Sequence, residues 1–219
     1  MTTIGKNYMH CDMVLERILY KCAPYIGNNQ YVYKKCICDT IVVLKKTDKT
    51  ITNESRKSII DPRYAKFRGN RFEVVCIFDA FDCDEEYVSA PSCYKTDFYY
   101  KIDCIVEVKN FDPNIEDVCS TGIHYFKDVR GAYFYNLRTV GFSGQFIQYY
   151  DDGQKMWDFN LVNGKLEGNY IEWYNNGKMK TKKNYTDFVL KGECTEWNDS
   201  GQIISKRNYV NGIPYVMAP

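Results

Sequence analysis

The sequence lacks the long apolar runs, the excess charge and the leader pattern that mark several classes of protein. No apolar stretch approaches the about 18 residues that a membrane-spanning helix needs, which excludes such a helix. The formal net charge is only +1, so no overall field draws the chain to nucleic acid or to an anionic membrane. The start of the chain lacks the basic-then-apolar layout of a signal peptide, and we expect a protein that is not secreted.

Motifs of common enzymes are also absent. The chain contains no P-loop, no Gly-x-Gly-x-x-Gly segment after a strand, no His-Glu-x-x-His and no Gly-x-Ser-x-Gly. Their absence does not exclude an enzyme, but it favours a non-catalytic protein that binds no cofactor.

Metal-binding spacings are missing although cysteine is abundant. The ten cysteines form no Cys-x-x-Cys pair, and only two histidines are available as further ligands. Zinc sites normally show such paired spacing, so the pattern predicts no metal site. Without a signal peptide the expected compartment is reducing, and we expect the cysteines to be free thiols.

The last third of the chain repeats with a period of 24 residues. The segments 144–153, 168–177 and 192–201 each begin with glycine, continue with an aromatic-containing strand and end with a turn sequence closed by glycine. Asp, Asn and Gly tolerate the positive φ of a tight turn between two strands. The pattern therefore predicts three β-hairpins at a constant step, whose rings meet those of the next copy.

This glycine-bounded, Tyr- and Trp-rich pattern over residues 141–213 resembles the MORN repeats, in particular the longer-period variant with the form G-x-Y-x-x-W-Y-x-N-G-x. The resemblance implies an elongated single-layer sheet of β-hairpins that serves as a scaffold for proteins or lipids. The middle copy has Asp187 and Phe188 where the other copies have Asn-Gly, which leaves its second turn open.

The part before the repeat shows both helical and strand patterns. Asp12 is placed to cap an amphipathic helix, and runs of β-branched and aromatic residues indicate strands, the last of them broken near Asp103. Helices are predicted over 13–20, with Asp12 as the cap, and over 128–135, and strands are predicted over 37–44, 72–78 and 98–108.

These patterns together predict an α+β fold in two domains. Residues 1–140 are expected to form a mixed α/β head with a mostly antiparallel sheet. Residues 141–219 are expected to form the array of three antiparallel β-hairpins.

Two stretches of the head resemble an uncharacterised domain found in giant DNA viruses of the Mimivirus kind. One is 61–68 leading into 72–77, and the other is 119–126 followed by 132–135. The resemblance spans about residues 30–137. It implies a viral protein in the host cytoplasm, and it implies no particular reaction.

The candidate binding residues are aromatic side chains at the end of the first strand of each hairpin. Tyr and Trp present large, rigid contact areas at a low cost in entropy. We therefore predict that a ring-rich face of the array docks a protein partner through Tyr149, Tyr150, Trp173, Tyr174 and Trp197. At least half of these rings are expected to serve the packing of the array itself.

Charge in the repeat argues against nucleic acid and weakens the case for a membrane. Residues 141–219 contain nine basic and nine acidic side chains. Lys178, Lys180 and Lys182 alternate along one strand, but the preceding copy has Gln, Met and Asp at these positions. A nucleic-acid or lipid surface would continue its basic stripe from copy to copy. An exposed hairpin edge is a predicted site of self-association.

An enzyme is the alternative, with a cleft in the head around Cys119 and His124. A cysteine nucleophile and its histidine base need not be close in sequence, so spacing leaves this alternative open. Residues 122–126 also resemble the Gly-Ile-Tyr-Phe segment of ADP-ribosyltransferases, but the spacing to the later tyrosine is two residues short and the His-Gly pair of that family is missing. A structural component of the virion is a third hypothesis.

Overall fold

The computed structural model describes residues 11–95, 97–139 and 141–215, and it is built mainly of antiparallel β-strands. Strands account for 45% and helices for 10% of the protein. The α+β prediction therefore overstated the helical part, whereas the mostly antiparallel sheets and the C-terminal hairpin array are confirmed. Within the described ranges, no helix is both long and apolar enough to cross a membrane.

The structure divides into two compact units. The head unit comprises Val14–Leu137 together with Tyr149–Gln154, and the repeat unit contains Arg138–Gln148 and residues 155–215. Residues 11–13, at the start of the first helix, group with the repeat unit. The short segment Tyr149–Gln154 follows the first strand of the repeat in sequence, yet it belongs to the head.

The main sheet of the head has six antiparallel strands in the order β3-β8-β1-β2-β4-β7, and β5 pairs with β6 in a small second sheet. The elements in chain order are α1 (Cys11–Cys22), β1 (Tyr31–Lys35), β2 (Thr40–Lys46), β3 (Lys66–Gly69), β4 (Arg71–Asp79), β5 (Ser89–Pro91), β6 (Tyr99–Lys101), β7 (Ile105–Glu107), β8 (Ile123–Phe126) and α2 (Val129–Phe134).

Apolar faces of the helix and the sheet form the core of the head. Helix α1 buries Val14, Ile18 and Cys22, which are four residues apart and lie on one face. Asp12 lies in the first turn of α1 rather than before it, so the helix begins earlier than predicted. The core of the sheet includes the buried side chains Val42, Leu44, Phe72, Val74, Ile77 and Tyr125. Burial of each such side chain stabilises the fold by about 1.5–3 kcal/mol.

Two of the strand predictions for the head are confirmed and one needs correction. The strand over 72–78 lies within β4, and the break at Asp103 separates β6 from β7, with a φ of 60°. The strand predicted from residue 37 begins only at Thr40. Cys38 and Asp39 have φ values of 54° and 58°, so the chain makes a tight turn there with both residues in the left-handed region.

The repeat unit is a single antiparallel sheet with the order β16-β15-β14-β12-β11-β10-β9, with β13 also paired to β12. Its strands are β9 (Gly144–Tyr149), β10 (Lys155–Val162), β11 (Lys165–Trp173), β12 (Met179–Thr186), β13 (Val189–Leu190), β14 (Gly192–Trp197), β15 (Ile203–Val210) and β16 (Ile213–Tyr215).

The three predicted hairpins are confirmed, and their turns are equivalent. Gly153, Gly177 and Gly201 have φ values of 87°, 80° and 88°, and each donates its N–H to the carbonyl three residues earlier at 2.9 Å. The second turn of the middle copy also forms, although Asp187 and Phe188 must adopt φ values of 48° and 68°. The turn chemistry therefore holds the same geometry in all copies, even where glycine is replaced.

Aromatic rings contact one another from strand to strand in the repeat, the first two pairs stacked and the third edge to face. The ring centroids of Phe146 and Phe159 are 4.7 Å apart, those of Phe159 and Tyr170 are 5.4 Å apart, and those of Tyr170 and Tyr185 are 6.1 Å apart. Each pair adds about 0.5–1.5 kcal/mol beyond the burial of its area. The predicted sharing of rings between neighbouring copies is thus present, but in residues that the sequence pattern did not single out.

Gly153 and Gly201 occupy equivalent turn positions, so alanine substitutions at the two sites show how much the close packing of the Gly153 turn in the head contributes to stability. A Cβ at Gly153 would lie 2.1 Å from the carbonyl oxygen of Asp61, whereas the nearest atom to a Cβ at Gly201 would be Lys178 Cδ at 3.6 Å. We expect Gly201→Ala to lower the free energy of unfolding by about 1 kcal/mol, because of its positive φ alone. Gly153→Ala should lower it by about 3 kcal/mol or more, because the clash adds to the same strain.

Chemical denaturation of the two variants and the parent protein measures this difference. Equal losses for Gly153→Ala and Gly201→Ala would show that the first turn has no close contact with Asp61.

Candidate functional site

The aromatic residues predicted to bind a partner divide between the two units. Tyr149 and Tyr150 belong to the head unit, whereas Trp173, Tyr174 and Trp197 belong to the repeat unit. Each of these side chains is half-buried. Their role in binding therefore stays a prediction.

Tyr149 packs inside the head unit. Its ring is parallel to that of Tyr64, with 3.9 Å between the centroids and 3° between the planes, and the centroid of Phe134 is 6.4 Å away. The backbone beside it is also held, because the Asp152 carbonyl accepts from the Ile60 N–H at 2.8 Å. This ring contributes to the packing of the head, which is the role expected for part of the set.

In the repeat unit, two of the three tryptophans, Trp173 and Trp197, lie beside an apolar residue of the next strand, whereas Trp157 pairs with Glu172. Trp173 pairs with Met179 between β11 and β12, and Trp197 pairs with Ile203 between β14 and β15. The spacing of 24 residues gives the two pairs equivalent positions in their hairpins. We call these four residues the apolar pairs. Ile203 is 58% exposed, and the other three are half-buried.

Tyr174 links two neighbouring hairpins. Its hydroxyl donates to the carbonyl of Trp197 at 2.9 Å, and the Lys180 ammonium lies 5.7 Å from its ring centroid. Trp173 has a similar neighbour, because Lys155 Nζ lies 5.5 Å from its ring centroid. These contacts orient the rings and leave part of each ring accessible.

Charged side chains of the repeat pair with one another across strands. The pairs are Lys180–Glu172 at 2.7 Å, Lys183–Glu196 at 3.4 Å and Lys206–Glu193 at 3.0 Å. Exposed pairs of this kind contribute little to stability, about 0–1 kcal/mol each. Their consequence is electrostatic, since they neutralise basic side chains that an anionic surface would otherwise attract.

The head unit contains a cleft with a volume of about 790 Å³. The two residues of the catalytic alternative, Cys119 and His124, both line it. Its wall also includes four lysines and three aromatic side chains, namely Lys34, Lys66, Lys95, Lys109, Tyr94, Phe98 and Tyr135. The cleft is therefore polar and concave, as the alternative requires.

His124 is held in the wall of the cleft by a backbone contact. Its Nε2 donates to the Val118 carbonyl at 2.7 Å, since a carbonyl oxygen can only accept. Burial lowers the pKa of His124 to about 4, and the nearby cations Lys34 and Lys66 act in the same direction. The imidazole is therefore neutral at pH 7, with Nδ1 as its acceptor.

Cys119 is exposed, and its closest polar neighbour is an acid. Its Sγ lies 3.6 Å from Asp151 Oδ2, whereas activated cysteines lie beside a cation or an imidazole. Within the described residues, no hydrogen bond joins Cys119 to His124. The two residues share a cleft without forming a nucleophile–base pair in this arrangement.

The described residues contain no group of three or more His, Cys, Asp and Glu side chains arranged to hold a metal ion. The nine cysteines from Cys22 onward are free thiols, as predicted. Since no disulfide joins these nine cysteines, other contacts must order the wall of the cleft.

A buried arginine provides those contacts. Arg68 on β3 is fully buried, and its guanidinium donates to backbone carbonyls of the loop between β7 and β8. The acceptors are the carbonyls of Asp112 at 2.6 Å, Asp117 at 2.6 Å, Thr121 at 3.1 Å and Asn114. The end of this loop, residues 119–122, forms one wall of the cleft. Sequence reasoning missed Arg68, because nothing in its local pattern distinguishes a buried arginine from an exposed one.

The fold and the two candidate sites define a β-rich protein that combines a cleft-bearing head with an array of interaction-type hairpins. Residues 20–132 match the model of a family of unknown function, DUF5758, and the chain belongs to that family. Residues 166–187 and 190–211 match the model of the MORN repeat variant. Searches among curated proteins and among solved structures found no significant match. The MORN repeat indicates a protein-interaction or scaffold module.

Removal of the buried guanidinium should unfold the wall of the cleft. We expect Arg68→Met to lower the free energy of unfolding by about 3 kcal/mol or more, because several buried carbonyls lose a charged donor. Arg71→Met is a matched control, since Arg71 pairs with Glu107 at 2.6 Å and is partly exposed. We expect the control to change stability by no more than about 1 kcal/mol. Equilibrium denaturation decides, and equal effects would contradict the assigned role of Arg68.

The lowered pKa of the half-buried His124 imidazole predicts a dependence of stability on pH. The pKa of His124 is about 4 in the folded protein and about 6.5 in the unfolded chain. Below about pH 6.5 the unfolded chain binds a proton that the folded protein does not accept until about pH 4, so stability falls as the pH falls through this window.

The expected loss between about pH 7 and about pH 5 is about 2 kcal/mol from this group. His124→Gln keeps a donor for the Val118 carbonyl and cannot titrate, so its stability should fall less by that amount. Denaturation curves at both pH values test this difference, and parallel losses in the two proteins would show that His124 is not buried.

Proposed function

We propose that this protein is a non-catalytic interaction module whose repeat unit docks a protein partner. The observation that carries the proposal is the pair of equivalent Trp-containing contacts at the ends of neighbouring hairpins, within a repeat that matches the MORN variant. Half-buried tryptophans that are already oriented lose little entropy on binding. The residues that precede the two tryptophans, Glu172 and Glu196, are each paired with a lysine, and paired charges beside apolar residues are typical of a protein interface.

The partner is a protein segment that presents apolar side chains to the apolar pairs. Local pairing of the lysines argues for such a partner over an anionic membrane or nucleic acid. Self-association through an exposed strand edge remains part of the proposal, since among the residues described up to Tyr215 β16 pairs with only the last three residues of β15.

The setting proposed for this module is the cytoplasm of a host cell infected by a giant virus. This part rests on the sequence resemblance of residues 30–137. A variant of this proposal is that the protein is packaged in the virion. Mass spectrometry of purified particles tests this variant.

Catalysis in the head is the second candidate function, and the shared cleft of Cys119 and His124 favours it. This function requires that Cys119 form a thiolate that reacts with a substrate in the cleft. Alkylation of Cys119 at neutral pH that is no faster than that of an ordinary exposed cysteine would argue against it.

The docking surface is tested with exposed residues, so that the variants fold. Ile203→Lys places a charge in one apolar pair, whereas Val210→Lys changes an equally exposed residue at the other end of β15; the two side chains are 58% and 54% exposed. We expect Ile203→Lys to weaken partner capture by about tenfold or more, and Val210→Lys to leave it unchanged.

The measurement is quantitative affinity capture from extracts of the cells in which the protein is expressed, with thermal denaturation as the folding control. If both variants capture the same proteins as the parent, the apolar pairs are not the docking surface. Retention by anionic lipid vesicles in place of a protein would also overturn the proposal.

A further inference from the structure

The cleft of the head carries an excess of positive charge. The lining includes the lysines Lys34, Lys66, Lys95 and Lys109, against the single carboxylate of Glu107. Two of these groups are compensated by neighbours: Lys66 Nζ lies 2.8 Å from Asp151, and Glu107 pairs with Arg71 at 2.6 Å. The other three lysines, Lys34, Lys95 and Lys109, line the cleft and have no ion pair with a described carboxylate that would offset their charge.

Lys34 is the buried member of this set. It is 6% exposed, its Nζ donates to the His124 carbonyl at 3.0 Å, and the ring centroid of Tyr100 is 5.5 Å from the ammonium. In the described part of the chain no carboxylate pairs with it. Burial lowers the pKa of Lys34, and the nearby cation Lys66 contributes to the same effect. An ammonium has three protons to donate, so donors remain for a ligand.

Lys35, the next residue in the chain, is a buried lysine with a structural role, and it differs from Lys34 in its partner. Lys35 is as deeply buried as Lys34, but its Nζ lies 3.0 Å from Asp39 in an ion pair. Adjacent residues of β1 point to opposite sides of the sheet, so the two lysines have separate surroundings. A buried cation destabilises a protein unless an anion accompanies it. The fold supplies that anion for Lys35 and leaves Lys34 to the cleft.

The cleft is also lined by aromatic side chains. Tyr94, Phe98 and Tyr135 also line it, and the hydroxyls of Tyr94 and Tyr135 are hydrogen-bonded to each other. Flat rings of this kind stack on a planar ring of a ligand. The cleft volume of about 790 Å³ falls in the range of about 300–1,000 Å³ that is typical of small-molecule sites.

We propose that this cleft binds a small phosphate ester with a planar ring, its phosphate against Lys34 and its ring against the three aromatic side chains. A dianionic phosphate fits better than a single carboxylate, because more than one lysine lines the cleft. The site lies in the head unit and involves none of the apolar pairs, so it is independent of the docking function of the repeat.

Calorimetric titration of the full chain with four probes tests the ligand class. The probes are adenosine monophosphate, cytidine monophosphate, adenosine and inorganic phosphate. We expect at least one of the two nucleotides to bind with a dissociation constant of about 1 mM or tighter. Adenosine and inorganic phosphate should each bind about tenfold more weakly or not at all, because each lacks one half of the ligand.

Lys34→Met separates a binding role from a structural role. Methionine fills the same space without a charge, so the melting temperature of the free protein should stay equal or rise, whereas nucleotide affinity should fall about tenfold or more. Lys45→Met is the control, because Lys45 lies at the surface of β2, 3.7 Å from Glu73. It should leave affinity unchanged.

Three results would overturn the proposal. The first is that neither nucleotide binds the parent protein at millimolar concentration. The second is that Lys34→Met binds nucleotide as well as the parent while remaining folded. The third is that inorganic phosphate binds as tightly as the nucleotides, which would remove the aromatic wall from the site.

Discussion

The Arg68 guanidinium is fully buried, and it donates to four backbone carbonyls of one loop. Its nearest carboxylate is that of Asp112 at 4.0 Å, so peptide dipoles carry most of the compensation for the charge. The ring of Phe111 adds to this, with its centroid 4.8 Å from the guanidinium. The loop has no regular secondary structure, and hydrogen bonds from this one side chain satisfy its backbone carbonyls instead. The shape of the cleft depends on this interaction, because the end of the same loop is its wall.

The repeat is stabilised in a different way, by many equivalent local contacts. Each hairpin closes with the same glycine geometry, and the contacting rings from Phe146 to Tyr185 connect neighbouring strands. No single residue of this set has the importance of Arg68, because the turns recur in every copy and the ring contacts are spread over several residues. The head and the repeat are therefore expected to respond differently to substitution: the head depends on a few buried polar groups, and the repeat depends on the sum of many small terms.

The sequence predicted what is encoded locally and missed what depends on distant parts of the chain. The hairpin turns were predictable because Gly153, Gly177 and Gly201 recur at a fixed spacing and have a specific conformational role. The tight turn at Cys38 was not predictable, because the β-branched residues near it have strand propensity. Only the tertiary structure overrides that propensity. Lys34 is equally invisible in sequence, since two adjacent lysines in a short segment are typical of a solvated strand.

The place of Tyr149–Gln154 in the head has a consequence for synthesis. Chains emerge from the ribosome in order, and domains generally fold as they become complete. The head lacks the partner of Tyr64 and the acceptor of the Ile60 amide until residue 154 has left the exit tunnel. By then β9, the first strand of the repeat, is already outside as well. Folding of the two units is consequently interleaved rather than sequential. A chain that is released after residue 137 contains a head that lacks the segment Tyr149–Gln154.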